Sequence, residues 1–259
     1  TYYVCPQVWA WKEKRIKTLK KCVDQLLVIF PFEKNWFLKR GVEVHFVGHP
    51  LLDEWKPSKT NGLRIELGLD PKKPLLTLFP GSRKQEIERH LKLFVNAARR
   101  VKKRIPDLQI ALGLVTGIEK KDLDRSGNMD DIHIIQGMSQ KVLESADYAI
   151  VASGTSTLEG AVFGTPMVIV YKMSPISWLI SRFLVKVQFA GMVNLIAGKK
   201  IVCELLQNDA TCNNISSHIL SVISDDKMIE NIKKDLSDVS KKLGGPGASG
   251  RAAELIMGR

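Results

Sequence analysis

The sequence predicts an α/β protein, a doubly wound parallel sheet preceded by the tail end of a second sheet of the same kind. Three observations carry this reading. Apolar runs of strand length alternate with helix-length segments through most of the 259 residues. A polar, turn-rich stretch at Lys56 to Asn61 interrupts the alternation, which then restarts, so a domain boundary falls near residue 57. Two turns of small residues, Gly81-Ser82-Arg83 and Ser153-Gly154-Thr155, each follow a strand and open a helix, the position where such sheets bind anions.

The first part, residues 1–56, reads as strand (Tyr2 to Val4), basic helix (Lys12 to Val23), strand (Leu26 to Ile29), short helix (Glu33 to Arg40) and strand (Val44 to Val47), stopped by Gly48-His49-Pro50. Three strands with nothing before them do not close a core, and Thr1 is not a methionine. The chain is therefore expected to begin inside a fold, without a signal peptide.

The second part, residues 57–259, carries strands at Leu75 to Phe79, Gln109 to Val115, Ile132 to Ile135, Tyr148 to Ala152 and Met167 to Tyr171. Helices at Lys84 to Ile105, Gln140 to Ser145 and Ser156 to Phe163 supply crossovers, and five strands so connected wind both ways from the middle of the sheet. Helices at Asn214 to Ser224, Lys227 to Leu243 and Ala248 to Met257 follow, the last two separated by Gly244-Gly245-Pro246-Gly247.

Composition narrows the classes. An apolar content of 44% suffices for a core, while the net charge of +12 points to anionic partners. The densest basic patch holds Lys12, Lys14, Arg15, Lys17, Lys20 and Lys21 against Glu13 alone. It fits a solvated helix face or an anionic membrane surface. Nucleic acid is set aside, because none of the motifs that give such charge a docking geometry is present.

Cys5, Cys22, Cys203 and Cys212 lack metal-binding spacing, so no metal or disulfide is expected and the thiols read as reduced and mostly buried. No apolar run reaches membrane-spanning length. The closest, Ile176 to Ile196, is broken by Ser177, Ser181, Arg182, Lys186 and Asn194, and fits an interfacial helix or a domain junction equally.

In the two turns, Gly81 and Ser82 let backbone approach an anion, and the Arg83 guanidinium can pair two phosphate oxygens. Glu159 lies one helical turn beyond Ser156. Its carboxylate can accept the vicinal hydroxyls of a ribose, or it can complete a capping box, Ser156 to Glu159 being S-x-x-E. His49, His90 and His133 have no triad or metal spacing and read as structural.

The strings Tyr3 to Trp11, Phe30-Pro31-Phe32-Glu33, Val47 to Asp53, Leu78 to Ile87, Ala152 to Glu159, Asn194 to Gly198, Glu204 to Gln207 and Gly247 to Ala253 resemble, in order and from end to end, the lipid-A-disaccharide synthase family, glycosyltransferases of GT-B architecture. The resemblance implies transfer of 2,3-diacylglucosamine from UDP-2,3-diacylglucosamine to lipid X, 2,3-diacylglucosamine 1-phosphate, with no cofactor. It implies a UDP-sugar donor domain at 57–259 and, at 1–56, the end of an acceptor domain. The family's glycine-rich loop and catalytic base precede the matched region.

On matching positions, Gly81, Ser82 and Arg83 would hold the diphosphate, Arg83 also stabilising the leaving group, with Ser153, Gly154 and Thr155 closing over it. Glu159 would bind the ribose, Gln136-Gly137-Met138 would offer backbone to the uracil, and Asn194 and Glu204 would belong to the donor site. Cys203 stands where the family commonly has proline. Lipid-linked substrates imply a peripheral place on the inner face of the cytoplasmic membrane; a homodimer is left open. On this reading the chain alone binds donor without turnover. Two alternatives stand beside it, another UDP-sugar enzyme such as a UDP-N-acetylglucosamine 2-epimerase, and a non-catalytic nucleotide-sugar binding module.

Overall fold

The computed structural model describes residues 1–54, 62–118, 123, 127–174, 178 and 187–258. The chain forms two compact units. The first takes Thr1–Lys56, Ser174–Phe189 and Asp238–Arg259, and the second Pro57–Met173 and Ala190–Ser237. A single division near residue 57 would leave the C-terminal helices entirely with the second unit; residues from Asp238 onward belong to the first. The polar stretch at 56–61 and most of the 176–186 segment lie outside the described residues.

The first unit is built on a three-stranded parallel sheet of β1 (Tyr2–Tyr3), β2 (Leu26–Val28) and β3 (His45–Phe46), in that spatial order. The basic stretch is not one helix: a 3₁₀ turn at Glu13–Arg15 leads into α1 (Ile16–Cys22). α1 buries Leu19 in a core with Cys5, Val8, Leu26, Val28, Phe37, Val42 and Val44, Phe37 coming from α2 (Pro31–Leu38). Proline at the first position of α2 loses no hydrogen bond, because that N–H has no intrahelical acceptor. All four cysteines are free, but only Cys5 is buried, and burial pushes its thiol up to about 12.

α3 (Leu51–Glu54) and the last helix, α11 (Ala248–Met257), meet through side-chain capping. The Asp53 carboxylate accepts the N–H groups of Gly247 (2.5 Å), Ala248 (3.0 Å) and Ser249 (2.7 Å). Arg251 donates to the carbonyls of Val47, Pro246 and Gly245. Gly48, at φ +88°, admits this guanidinium, since a Cβ there would lie 2.7 Å from it. Two strings that mark the family in sequence, 47–53 and 247–253, are thus one interlocked feature in space.

The second unit opens with a single turn, α4 (Leu63–Glu66). Its sheet has six parallel strands in the order β6-β5-β4-β7-β8-β9, one more than the sequence predicts. These are β4 (Leu75–Phe79), β5 (Gln109–Leu114), β6 (His133–Gln136), β7 (Tyr148–Ala152), β8 (Met167–Tyr171) and the unforeseen β9 (Cys203–Leu206). Every residue of β4, β5 and β7 is buried, as expected of strands covered on both faces.

α5 (Lys84–Lys102) turns one apolar face inward through Ile87, Leu91, Phe94, Val95, Ala98 and Val101, a 3.6-residue repeat. It packs against α9 (Cys212–Ile223). Among the described residues the other helices that start in this unit are α6 (Ser139–Glu144), α7 (Ser156–Phe163), α8 (Met192–Ala197) and α10 (Asp226–Lys242). Winding reverses between β4 and β7, so the loops after these two strands face one another across the switch point where such sheets bind ligands.

Candidate functional site

A cavity of about 430 Å³ lies at that switch point, entirely within the second unit. Its walls include Gly81, Ser82 and Arg83 from the β4 loop, Ser153, Gly154, Thr155 and Ser156 from the β7 loop, and Glu159 from α7. The two turns singled out in the sequence, seventy residues apart, line one space. Its floor is formed by Phe79 against Gly113, where any Cβ would meet the Phe79 ring at 2.5 Å. Glu86, Val115, Ser139, Ala152 and Tyr171 complete the lining.

The first loop is held from both sides. Glu86, on the first turn of α5, accepts the N–H groups of Ser82 (3.0 Å) and Arg83 (3.3 Å). Gly81 sits at φ +126°, and a Cβ there would lie 2.4 Å from the Glu86 side chain, so glycine is required both by backbone angle and by space. Fully buried His90 lies 2.9 Å from the Pro80 carbonyl through Nδ1, while its Nε2 accepts the Lys172 N–H at 2.9 Å. Accepting at Nε2 requires the proton on Nδ1, which makes His90 a neutral strut between the loop and the end of β8. Burial holds its pKa down, in keeping with that role. The Arg83 side chain is 84% exposed and 3.8 Å from Glu86.

The second loop is organised differently. Ser153 Oγ donates to the Ala190 carbonyl at 2.8 Å, and Thr157 Oγ1 to that of Gly154 at 2.8 Å. α7 starts at Ser156 with Thr155 as its N-cap and no side chain capping it. The capping-box alternative therefore does not hold: Ser156 is the first helical residue, not the cap. The Glu159 carboxylate instead receives the side chain of Gln140 (3.4 Å) and that of Ser156. Burial pushes its pKa up, and these two contacts pull against it.

Asn194 and Glu204 stand together behind the wall rather than in it. Asn194, wholly buried, donates to Glu204 Oε1 (2.7 Å) and the Val202 carbonyl, and its Oδ1 accepts the Ile201 and Val202 N–H groups. Glu204 also accepts the Ala190 and Gly191 N–H groups, both at 2.9 Å. The pair thereby fixes the segment against which Ser153 rests.

Gln136 donates to the carbonyls of Val115 and Ile118, and the Gly137 N–H is taken by the Leu114 carbonyl at 2.9 Å. Met138 is exposed and opens α6, whose Ser139 reaches the cavity.

A family model described as lipid-A-disaccharide synthetase matches residues 1–256. The chain belongs to the lipid-A-disaccharide synthase family. A lipid-A-disaccharide synthase of Geobacter sulfurreducens is 38% identical over 261 residues, covering 99% of this chain and 67% of its own length. Among solved structures, the UDP-N-acetylglucosamine 2-epimerase of Neisseria meningitidis, bound to UDP-N-acetylglucosamine, has a TM-score of 0.63 at 13% identity, over 98% of this chain and 67% of its own. The calicheamicin glycosyltransferase CalG4 has a TM-score of 0.58 at 16% identity, over 94% of this chain and 55% of its own. At these identities the structures establish a shared GT-B fold, and the sequence match places the chain among glycosyltransferases of lipid A synthesis.

Two features of this site escape a motif reading. Glu86 is visible only as an acid at the third helical position of α5, a signal that was available. His90 depends on Lys172, 82 residues away, and no local pattern announces it.

Proposed function

We propose that the second unit binds the UDP portion of UDP-2,3-diacylglucosamine, and that the protein transfers the diacylglucosamine to lipid X, giving the lipid A disaccharide 1-phosphate and UDP. One observation carries the reading: Arg83, the open start of α7 and Glu159 line the same cavity. Arg83 pairs phosphate oxygens and meets the charge that develops on departing UDP. Ser153, Gly154 and Thr155 form the facing wall, and Glu159 takes the ribose hydroxyls. Uracil enters between Val115 and Ser139, beside the Gln136-Gly137-Met138 turn.

The epimerase alternative has only a shared fold behind it, whereas family membership favours transfer. Among the described residues no helix is long and apolar enough to cross a membrane. Exposed Trp11, beside Lys12, Lys14, Arg15 and Lys17, suits a peripheral hold on an anionic bilayer, the inner face of the cytoplasmic membrane being where lipid-linked substrates are met.

The 259 residues span about two thirds of the length of the relatives they match, so the first test is of binding. Calorimetry should give a saturable 1:1 association with UDP and none with uncharged N-acetylglucosamine. Failure to bind UDP would remove the proposal.

A further inference from the structure

Two walls of the cavity meet, behind it, at one fully buried side chain. On α5, one turn after Glu86 has taken the N–H groups of Ser82 and Arg83, the Nδ1–H of His90 reaches the Pro80 carbonyl at 2.9 Å. The same helix therefore grips the Gly81-Ser82-Arg83 loop both by its N–H groups and by the carbonyl that precedes it. On the other side of the ring, Nε2 accepts the Lys172 N–H at 2.9 Å. The imidazole also lies 5.6 Å from the ring of Tyr171, which lines the cavity, and stacks on Phe94 at 5.7 Å.

Of the two segments so joined, the end of β8 is fixed without His90. Tyr171 is paired with Leu206 of β9, and its carbonyl takes the Gln207 N–H at 3.0 Å. Pro80, by contrast, lies just past Phe79, the last paired residue of β4. The loop is thus the side that the bridge steadies. A neutral imidazole suits the task because it donates at one nitrogen and accepts at the other, whereas lysine and arginine only donate and a carboxylate only accepts.

Resting on the reading of this cavity as the UDP site, we infer that His90 is a positioning residue for the diphosphate. It hangs the loop that carries Arg83 from the fixed end of β8, and so sets the spacing between that loop and the Tyr171 wall. A loop held in its bound shape before the ligand arrives loses less freedom on binding.

Two substitutions divide the bridge. In His90→Asn, Nδ2 stands one bond beyond Cγ, as Nδ1 does, so the Pro80 bond is kept and the Lys172 N–H is released. In His90→Gln, Oε1 stands two bonds beyond Cγ, as Nε2 does, so the Lys172 bond is kept and the Pro80 carbonyl is released. Calorimetry should show pyrophosphate and UDP affinities lowered at least about tenfold in His90→Gln and less than about threefold in His90→Asn. Uridine, which has no phosphate, should bind alike in all three proteins.

Each variant loses one buried hydrogen bond, so a purely structural histidine would lower Tm in both and leave their pyrophosphate affinities equal. That result would overturn the inference and leave the UDP site standing. If neither variant folds, NMR of the wild-type protein with ¹⁵N-labelled histidine decides. The His90 signals should show a protonated Nδ1 and a bare Nε2, and the Nδ1–H signal should shift on saturation with pyrophosphate. An unmoved signal would also overturn the inference, and absence of any pyrophosphate or UDP binding by the wild type would overturn both readings.

Discussion

Asn194 Nδ2 lies 2.7 Å from Glu204 Oε1, and this bond closes a network in which both carboxylate oxygens and both ends of the amide are used. Resemblance assigns the two residues to the donor site; their geometry gives them the segment behind it. Each is a brace for Ala190, whose carbonyl receives Ser153.

Asn194→Asp should accordingly act first on stability. The new carboxylate still accepts the Ile201 and Val202 N–H groups but faces Glu204 without a donor. A buried polar group left unmatched costs about 1–3 kcal/mol. Thermal unfolding should show a Tm lowered by several degrees, with UDP affinity reduced only in consequence. An unchanged Tm together with lost UDP binding would make Asn194 a ligand contact instead.

Arg83→Ala should weaken UDP binding by about 1.5–3 kcal/mol, the range for a hydrogen bond to a charged group, and leave the fold intact because the side chain is mostly exposed. Calorimetry on the variant decides, and equal affinity would demote Arg83 to a solvated side chain.

Glu159→Gln separates ribose from phosphate. UDP and uridine should both bind more weakly, while affinity for free pyrophosphate holds. Parallel titrations with the three ligands would expose a general loosening of α7, which would weaken all of them together.

Asp53 sets an acid limit on the C-terminal helix. Desolvation is the largest single effect and raises its pKa, but the N–H groups of Ser249, Gly247 and Ala248 and the Ser249 side chain together outweigh it and bring the value to about 2. A carboxyl depressed in the folded state stabilises fully above its unfolded pKa of 3.8 and loses that contribution as pH falls towards 2. Protection of the Gly247 to Ser249 amides relative to their intrinsic exchange should therefore fall between pH 4 and 2, and Asp53→Ala should show the lost protection already at neutral pH. Such a cap contributes about 0.5–2 kcal/mol. Identical exchange in the two proteins at neutral pH would rule the cap out.

Sequence reading succeeded where burial imposes a pattern. The runs Leu75–Phe79 and Tyr148–Ala152 are wholly apolar because both faces of their strands are covered, and the turns after them bend where glycine must be. It missed β9 because Cys203-Glu204-Leu205-Leu206 is an edge strand, half-buried throughout, whose acid faces an internal network. It missed α8 because six residues between Gly191 and Gly198 give too little periodicity to register. Both helices begin where the sequence places them, at Lys84 and Ser156; what it did not resolve is the side-chain partners, Glu86 turning back onto the N–H groups of Ser82 and Arg83 and Glu159 meeting Gln140.

The clasp between Asp53 and Gly247–Ser249, with Arg251 reaching Val47, also bears on how the molecule is made. A ribosome delivers residue 53 nearly two hundred positions before its partners. The residues of the second unit, 57–173 and 190–237, have all emerged by then and can settle into their sheet, while the first unit stays unsealed until the final helix leaves the exit tunnel. Asp53 therefore waits through the synthesis of nearly two hundred residues, and the clasp closes only once Gly247–Ser249 are clear of the ribosome.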